Sequence, residues 1–169
     1  MIVIFIYFNK GIVMGAKVFI SYSHKDELFK DSLKEHLSPL LQKGIISTWD
    51  DRDISAGNDW AQEISVNLEA AEVILFLISP SFLASEYCSN IEAKRAMELH
   101  DEHKSILIPI VVRPCEWSEC DYSRFQAVPK DAKPVALWSN EDEAWLDAVR
   151  GIKKIAQSVL ENNEKKNLS

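Results

Sequence analysis

A basic surface is the first feature that this sequence lacks. Its 169 residues contain 19 lysines and arginines against 26 aspartates and glutamates, which gives a formal net charge of −7. The positive residues are scattered along the chain, whereas a nucleic-acid partner requires a basic face that neutralises phosphates. The composition therefore argues against nucleic-acid binding, and any anionic ligand has to be held by a few local donors.

Long apolar runs are also missing. Residues 2–8 form an unbroken apolar run of seven, whereas a helix needs about twenty such residues to cross a bilayer. The run also lacks the basic start and the small-residue cleavage site of a signal peptide. We therefore expect no membrane span. Because residues 14–18 have the pattern of a natural start directly before a strand, we interpret residues 1–15 as an N-terminal extension. It arises from a misplaced initiation codon, or else forms a short extra strand or apolar arm.

Cysteine is scarce, with three residues in the chain. Cys88, Cys115 and Cys120 cannot all pair, and together with the missing signal peptide this indicates a reducing compartment, so we expect a cytoplasmic protein. His100 and His103 lie between the first and second of these cysteines, but no standard zinc spacing is met. The sequence therefore predicts structural thiols and surface histidines, and no metal site.

Strand-like and helix-like segments alternate along the chain, and no repeat, low-complexity run or linker divides it. Apolar and β-branched segments predict strands over residues 17–21, 45–49, 73–79, 105–112 and 135–138. Helical spacing of apolar residues predicts helices over residues 26–42 and 60–71, from Ser85 or Cys88 to Leu99, and over residues 141–160. This alternation predicts an α/β fold, a flavodoxin-like, doubly wound, five-stranded parallel sheet of order 2-1-3-4-5 flanked by helices.

Three residues carry additional backbone information. Gly44 follows the first predicted helix as its C-cap, and Gly57 stands in a polar loop where we expect a positive φ. Pro109 interrupts the fourth predicted strand, which indicates an irregularity or a place near the edge of the sheet.

The carboxyl ends of the first and third strands meet at the crevice where such sheets bind ligands. Ser21, Tyr22 and Ser23 end the first strand, and Ser79 ends the third. Glu92 follows in the first turns of the next helix. A carboxylate that faces this crevice can take part in chemistry, whereas one on the far side of the helix is only solvated surface.

Three stretches of the chain carry a family resemblance: residues 18–26, 49–60 and 79–88. In this order and spacing they closely resemble the Toll/interleukin-1 receptor (TIR) domain family. The resemblance covers residues 16–160, which we take as the domain, and it leaves residues 161–169 as a polar C-terminal tail. The element Arg-Pro-Cys-Glu-Trp over residues 113–117 further resembles the bacterial branch.

The resemblance implies a choice between two functions. Many members cleave NAD⁺ at the nicotinamide–ribosyl bond, releasing nicotinamide and ADP-ribose or a cyclic isomer of it, whereas receptor and adaptor members in animals mostly act as assembly modules. In the catalytic branch the essential glutamate stands on the third helix, a few residues past a Trp or Cys. Glu92, four residues past Cys88, matches this position, and its rival Glu86 matches it less well. The resemblance thus implies an NAD⁺ glycohydrolase (an NADase, a hydrolase of an N-glycosyl bond) or an ADP-ribosyl cyclase, with NAD⁺ as substrate and no cofactor.

Cleavage of this bond requires only one carboxylate. Nicotinamide leaves as a neutral molecule from a cationic precursor, so no general acid is needed, unlike in ordinary glycosides. Glu92 can attract the positive charge that develops on the ribose and can accept hydrogen bonds from its hydroxyls. Whether a covalent ribosyl intermediate forms is left open by the sequence.

The residues at the end of the first strand are candidate substrate-binding residues. Ser21, Tyr22 and Ser23 can donate to ribose or phosphate, or small residues here simply close the turn into the helix. Cys88 belongs to the motif that precedes Glu92, and we include it in the predicted site.

The loop over residues 50–57 corresponds in the resemblance to the family's BB loop, which covers the pocket and makes contacts between subunits. Asp50 and Arg52 are our candidates here. Arg52 is the only cation of this loop, and it either holds a phosphate or forms a salt bridge to Asp50 or Asp53. Trp49 and Trp60 flank the loop, and they either offer aromatic faces to nicotinamide or adenine or pack in the core.

Two other functions remain as alternatives. A non-catalytic scaffold that recruits other TIR domains is the main one, and the retained Glu92 favours catalysis over it. A phospho-acceptor receiver domain is disfavoured, because the third strand ends in Ser79 and not in aspartate. The resemblance also implies activation by TIR–TIR self-association, and we expect a separately encoded sensor or effector partner in bacterial antiphage (antiviral) signal transduction.

Overall fold

A parallel sheet forms the centre of the computed structural model, which describes residues 15–85 and 92–168. In this part of the chain its strands are β1 (Ala16–Ser21), β2 (Ile46–Trp49), β3 (Val73–Ile78) and β4 (Ile106–Val111). They lie in the order β2-β1-β3-β4, and every neighbouring pair is parallel. The predicted α/β class and the order of the first four strands are confirmed.

Helices cover both faces of this sheet. They are α1 (Glu27–Gln42), α2 (Trp60–Ala70), α3 (Pro80–Ala84), α4 (Ala93–Asp101) and α5 (Glu141–Asn167). Apolar residues of α1 and α5 pack on one face of the sheet, and those of α2, α3 and α4 pack on the other. All six residues of β3 are buried, as a central strand covered on both faces requires.

The fifth predicted strand is not a strand in the structure. Val135–Leu137 forms a single turn of 3₁₀ helix, in which the backbone N–H of Ala136 donates to the carbonyl of Val112, directly after β4. Pro134 directly precedes this turn and has no N–H to donate, which disfavours a regular ladder. The outer edge of β4 instead forms an isolated bridge between Ile110 and Val128.

The predicted third helix is divided differently from the prediction. A short helix, α3, begins at Pro80 with Ser79 as its N-cap, and α4 ends at Asp101, two residues beyond the predicted Leu99. Residues 86–91 lie outside the described part of the chain, so the predicted start at Ser85 or Cys88 stays a prediction. The last helix, α5, continues to Asn167, through most of the predicted polar tail.

The three backbone predictions are confirmed. Gly44 and Gly57 have φ angles of 66° and 91°, in the left-handed region where glycine has no steric penalty. Pro109 lies on the edge strand β4, and its carbonyl accepts from the N–H of Val128 on the side away from β3. The missing N–H of this proline therefore interrupts no bond between β4 and β3.

Candidate functional site

Glu92 stands at the N-terminal end of α4, and its side chain is buried against the end of β1. The hydroxyl of Ser21 donates to Oε2 of Glu92 over 2.5 Å, and Glu92 is 5% exposed. A hydroxyl that donates to a carboxylate forms a charge-assisted hydrogen bond. The carboxylate therefore points toward the carboxyl end of the sheet and away from bulk solvent.

A small cavity lies beside this carboxylate. It is lined by Phe19, Ile20, Ser21, Tyr22, Trp49, Ile64 and Glu92, and its volume is about 40 Å³. Such a volume holds one water molecule, whose share of liquid volume is roughly 30 Å³. Among residues 15–85 and 92–168, these walls leave no room for a ribose beside Glu92 unless they move apart.

Trp49 forms one wall of this cavity. It is half-buried and stacks on Phe19 with a centroid distance of 5.2 Å and an interplanar angle of 22°. The same two rings also line a second cavity of about 250 Å³, which extends along α2 past Ser47 and Asn67. The stacked pair thus lies between the cavity of Glu92 and a larger one.

The other two residues at the end of β1 point in different directions. Tyr22 is buried, lines the cavity of Glu92, and has the ammonium group of Lys30 5.4 Å from the centre of its ring. Ser23 caps the 3₁₀ turn His24–Asp26, and its hydroxyl accepts from the N–H of Lys25 over 3.4 Å. The contacts of Ser23 are those of a residue that closes the turn.

Asp50 fastens the loop after β2 to α1. Its carboxylate is fully buried, with Nζ of Lys34 at 2.9 Å and Nζ of Lys30 at 4.0 Å. Oδ1 of Asp50 also accepts from the N–H of Arg52, and its own N–H donates to Asp53. Burial lowers the pKa of Lys34, but its hydrogen bond and charge pairing with Asp50 outweigh this effect and raise the pKa above the ordinary lysine value. Asp50 therefore faces α1, and it does not line the cavity of Glu92.

Arg52 forms an ion pair with a residue that the sequence analysis did not name. Its Nε and Nη2 donate to the two carboxylate oxygens of Glu27 over 2.8 and 3.0 Å. This two-pronged pair raises the pKa of Arg52, and Tyr22 raises it further by a smaller amount. The expected salt bridge to Asp50 or Asp53 is thus replaced by one to Glu27 at the start of α1.

Trp60 and Cys88 complete the predicted set. Trp60 is the first residue of α2 and is 45% exposed, and it is not among the residues that line the cavity of Glu92. Cys88 lies outside the described residues, as does Glu86. Of the predicted site residues in the described ranges, the structure brings together Ser21, Tyr22, Trp49 and Glu92.

A second polar cluster lies at the same end of the sheet, and sequence reasoning missed it. Asp26 is 1% exposed, and it accepts from the hydroxyl of Ser79 and, over 2.9 Å, from Nε of Arg113. Nη2 of Arg113 donates to the hydroxyl of Ser81 over 2.7 Å. A signal was present in the chain, because Ser79 directly follows β3 and Arg113 lies two residues past the end of β4, and the carboxyl ends of these strands share this edge.

Arg95 holds α4 against α2. Its guanidinium forms a two-pronged ion pair with Glu69 of α2 and further contacts with Glu98 and Glu102 of its own helix. Arg95 is three residues beyond Glu92, so this pairing helps to fix the end of α4 that carries the buried carboxylate. Exposed pairs of this kind are individually weak, but a shared guanidinium fixes the geometry.

Neither a metal site nor a membrane span is found in the described ranges 15–85 and 92–168. No group of three histidine, cysteine or acidic side chains there is arranged to bind a metal ion. No helix there combines enough length with enough apolar character to cross a bilayer.

The sequence of residues 18–150 matches the profile of the TIR domain family. Because this match covers well over half of the 169 residues, the chain belongs to the TIR domain family.

Two individual proteins that are similar to this chain differ from it at more than half of the aligned positions. Uncharacterized protein y4lF of Sinorhizobium fredii is 42% identical over 142 residues, which are 84% of this chain and 44% of that protein. This chain therefore spans less than half the length of that relative. The TIR domain of the Toll-related receptor TRR-2 from Hydra magnipapillata is 22% identical, with a TM-score of 0.52 over 80% of this chain and 97% of that one. This second likeness concerns the fold alone.

The TIR domains of the activated Roq1 resistosome, which directly recognizes the pathogen effector XopQ, are also similar in shape. They are 18% identical, with a TM-score of 0.48 over 85% of this chain and 84% of that one.

Proposed function

We propose that this TIR domain cleaves NAD⁺ at the nicotinamide–ribosyl bond and releases nicotinamide together with ADP-ribose or a cyclic isomer of it. The observation that carries the proposal is the buried carboxylate of Glu92, which accepts from Ser21 at the carboxyl end of the sheet. Membership of the TIR family supports the same proposal. In it, Glu92 is the catalytic residue.

The chemistry requires little more than this carboxylate. As the bond to nicotinamide breaks, its electron pair leaves with the neutral ring and positive charge develops on the ribose. Glu92 is buried, and a buried carboxylate attracts that charge more strongly than one in bulk water does. Ser21 fixes one of its oxygens. Water then adds to the ribose carbon and loses a proton, or a nitrogen of the substrate's own adenine adds instead and closes the ring.

The size of the cavity makes opening part of the proposed function. At about 40 Å³, the space beside Glu92 has to widen before a nucleoside enters. Self-association of TIR domains, with a neighbour stabilising the widened form, supplies the free energy for such a change. We therefore expect the dilute chain to be nearly inactive and clustered protein to be active.

The decisive experiment incubates concentrated or clustered protein with NAD⁺ and identifies the products by mass spectrometry, beside Glu92→Gln. A cyclic product is lighter than ADP-ribose by one water, so its mass separates cyclisation from hydrolysis. Glu98→Gln is the matched control, because this glutamate is half-exposed and stands on the same helix. Nicotinamide release should be lost in Glu92→Gln and retained in Glu98→Gln. Retained activity in a folded Glu92→Gln would assign the chemistry to another carboxylate.

A non-catalytic scaffold is the second candidate, and the small volume of the cavity favours it. If wild-type protein leaves NAD⁺ intact even when clustered, recruitment of other TIR domains becomes the better explanation. In either case we propose a role in bacterial antiphage signalling with a separately encoded sensor or effector.

A further inference from the structure

Arg113 is held in place from two sides. Its Nε donates to the buried carboxylate of Asp26 over 2.9 Å, and its Nη2 donates to the hydroxyl of Ser81 over 2.7 Å. The other oxygen of Asp26 is occupied by Ser79. Two of the three nitrogens of the guanidinium thus have partners, and this sets the plane and direction of the side chain.

The third nitrogen of Arg113 remains available. The side chain is 34% exposed, and in residues 15–85 and 92–168 no acceptor pairs with Nη1. A planar guanidinium that is fixed in advance loses little entropy when it binds a phosphate oxygen. Lys25, exposed and adjacent to Asp26 in the 3₁₀ turn, adds a second positive charge to this edge.

Arg52, by contrast, is already engaged. Its Nε and Nη2 both bind Glu27 in a two-pronged pair at the surface. To bind a phosphate, Arg52 would first have to leave a carboxylate that complements it well, whereas Arg113 would keep both of its anchors.

The place of Arg113 also suits a long, anionic substrate. β1, which ends at Ser21, and β4, which Arg113 follows, lie on either side of β3. Strands in a sheet are spaced by about 4.8 Å, so the two chain ends are on the order of 10 Å apart across the sheet. In a dinucleotide whose ribose lies at Glu92, the pyrophosphate extends away from that ribose. A donor about 10 Å away across the sheet, such as Arg113, is therefore in a suitable place to bind it.

We propose that Arg113, anchored by Asp26 and Ser81, is the residue that binds the pyrophosphate of the dinucleotide. The inference rests on the proposed function for the identity of the substrate. Arg113 is a binding residue in this proposal, and the bond-breaking step belongs to Glu92.

The test measures binding of ADP-ribose by calorimetry to clustered protein, the form in which we expect the site to open, with adenosine, which has no phosphate, as the matched probe. Arg113→Gln alone leaves the buried Asp26 without its cation and risks unfolding, so the main variant is Asp26→Asn with Arg113→Gln. We expect its dissociation constant for ADP-ribose to rise about tenfold or more, as the loss of a charge-assisted bond predicts, with adenosine binding unchanged. Arg124→Gln removes an exposed arginine elsewhere and should leave both constants as in the wild type.

Several outcomes would overturn the inference. They are undiminished affinity for ADP-ribose in the folded double variant, no binding by the wild type, and a larger loss in Arg52→Gln than in the Arg113 variant. Nicotinamide release is measured separately. If Arg113 binds ADP-ribose but the clustered wild type leaves NAD⁺ intact, the proposed cleavage of NAD⁺ is wrong, whereas the proposed anion site at Arg113 is supported. If NAD⁺ is cleaved with an unchanged KM in the double variant, only the assignment of Arg113 is wrong.

Discussion

The hydroxyl of Ser21 and the carboxylate of Glu92 share one buried hydrogen bond, although 71 positions of sequence separate them. The first residue ends β1 and the second begins α4, so only the sheet topology brings them together. The bond satisfies a carboxylate that would otherwise be expensive to bury. Ser21 therefore matters both for the stability of the domain and for the direction in which Glu92 points.

Ser21→Ala should lower both stability and nicotinamide release. Removing a buried donor to a charged group costs about 1.5–3 kcal/mol, and the carboxylate of Glu92 loses one of the contacts that orient it. Urea unfolding gives the first quantity, and the kcat for NAD⁺ gives the second.

Ser23→Ala is the matched control for this change. Ser23 lies two residues further on and makes a long contact with the N–H of Lys25 at 3.4 Å. We expect its removal to change the free energy of unfolding by less than about 0.5–1 kcal/mol. Equal effects of the two substitutions would contradict the special role of Ser21.

The sequence predicted those parts of the site that follow from the arrangement of the backbone. The rule that parallel strands share a carboxyl edge placed Ser21 and Glu92 in one crevice before any side chain was known. The same rule places Arg113 at this edge, but it does not give Asp26 as the partner of Arg113 or Glu27 as the partner of Arg52. Such pairings depend on side-chain reach across the loop and the helix, and several acidic partners were equally near in sequence.

The fold, like the site, was predicted only in part from the sequence. Apolar patterns predicted β3 and α1, because burial alone determines such segments. The pattern failed over residues 135–138, where apolar residues are buried but a preceding proline favours a 3₁₀ turn. Helix α3 was also missed, although Ser79 before Pro80 is a common N-cap and first-position pair.

Trp49→Ala should disturb the site far more than Trp60→Ala. Trp49 stacks on Phe19 between two cavities, so its removal costs about 2–3 kcal/mol, less than a fully buried Trp because it is half-exposed. Trp60 is 45% exposed, and we expect its loss to cost less than about 1 kcal/mol. Urea unfolding measures both. Greater destabilisation by Trp60→Ala would show that the stacked wall is not a structural element.

The pair of Lys34 and Asp50 predicts a loss of stability in alkali. The pKa of Lys34 is raised in the folded chain, so its contribution is complete below the unfolded value of about 10.4 and declines as pH rises through the folded value. Urea unfolding between about pH 10 and 12, the range that begins near the unfolded value and rises through the folded one, should show a steeper fall for the wild type than for Lys34→Met. Lys43→Met, at the exposed end of α1, should keep the wild-type slope. The same slope in all three proteins would exclude this linkage.

His100 accepts a backbone hydrogen bond that requires its neutral form. Nδ1 of His100 lies 3.1 Å from the N–H of Leu107, the second residue of β4. Burial lowers the pKa of His100, and Arg124 and His103 lower it further, whereas Asp101 acts in the opposite direction. The ring also packs against Phe125 with a centroid distance of 4.4 Å.

The domain should therefore lose stability as pH falls through the range in which free histidine is protonated. The unfolded chain takes up this proton from about pH 6.5 downward, whereas the folded chain resists it, so the loss amounts to about 1.4 kcal/mol for each unit by which the pKa is lowered. His100→Gln keeps an acceptor for Leu107 without titrating, and its free energy of unfolding should vary less between pH 7.5 and 5 in urea titrations. His103→Asn, at an exposed position with a φ of 57° that asparagine tolerates, removes only the smallest of the effects on the pKa of His100, so its profile should stay close to that of the wild type. An unchanged pH profile in His100→Gln would mean that protonation of His100 is not linked to unfolding.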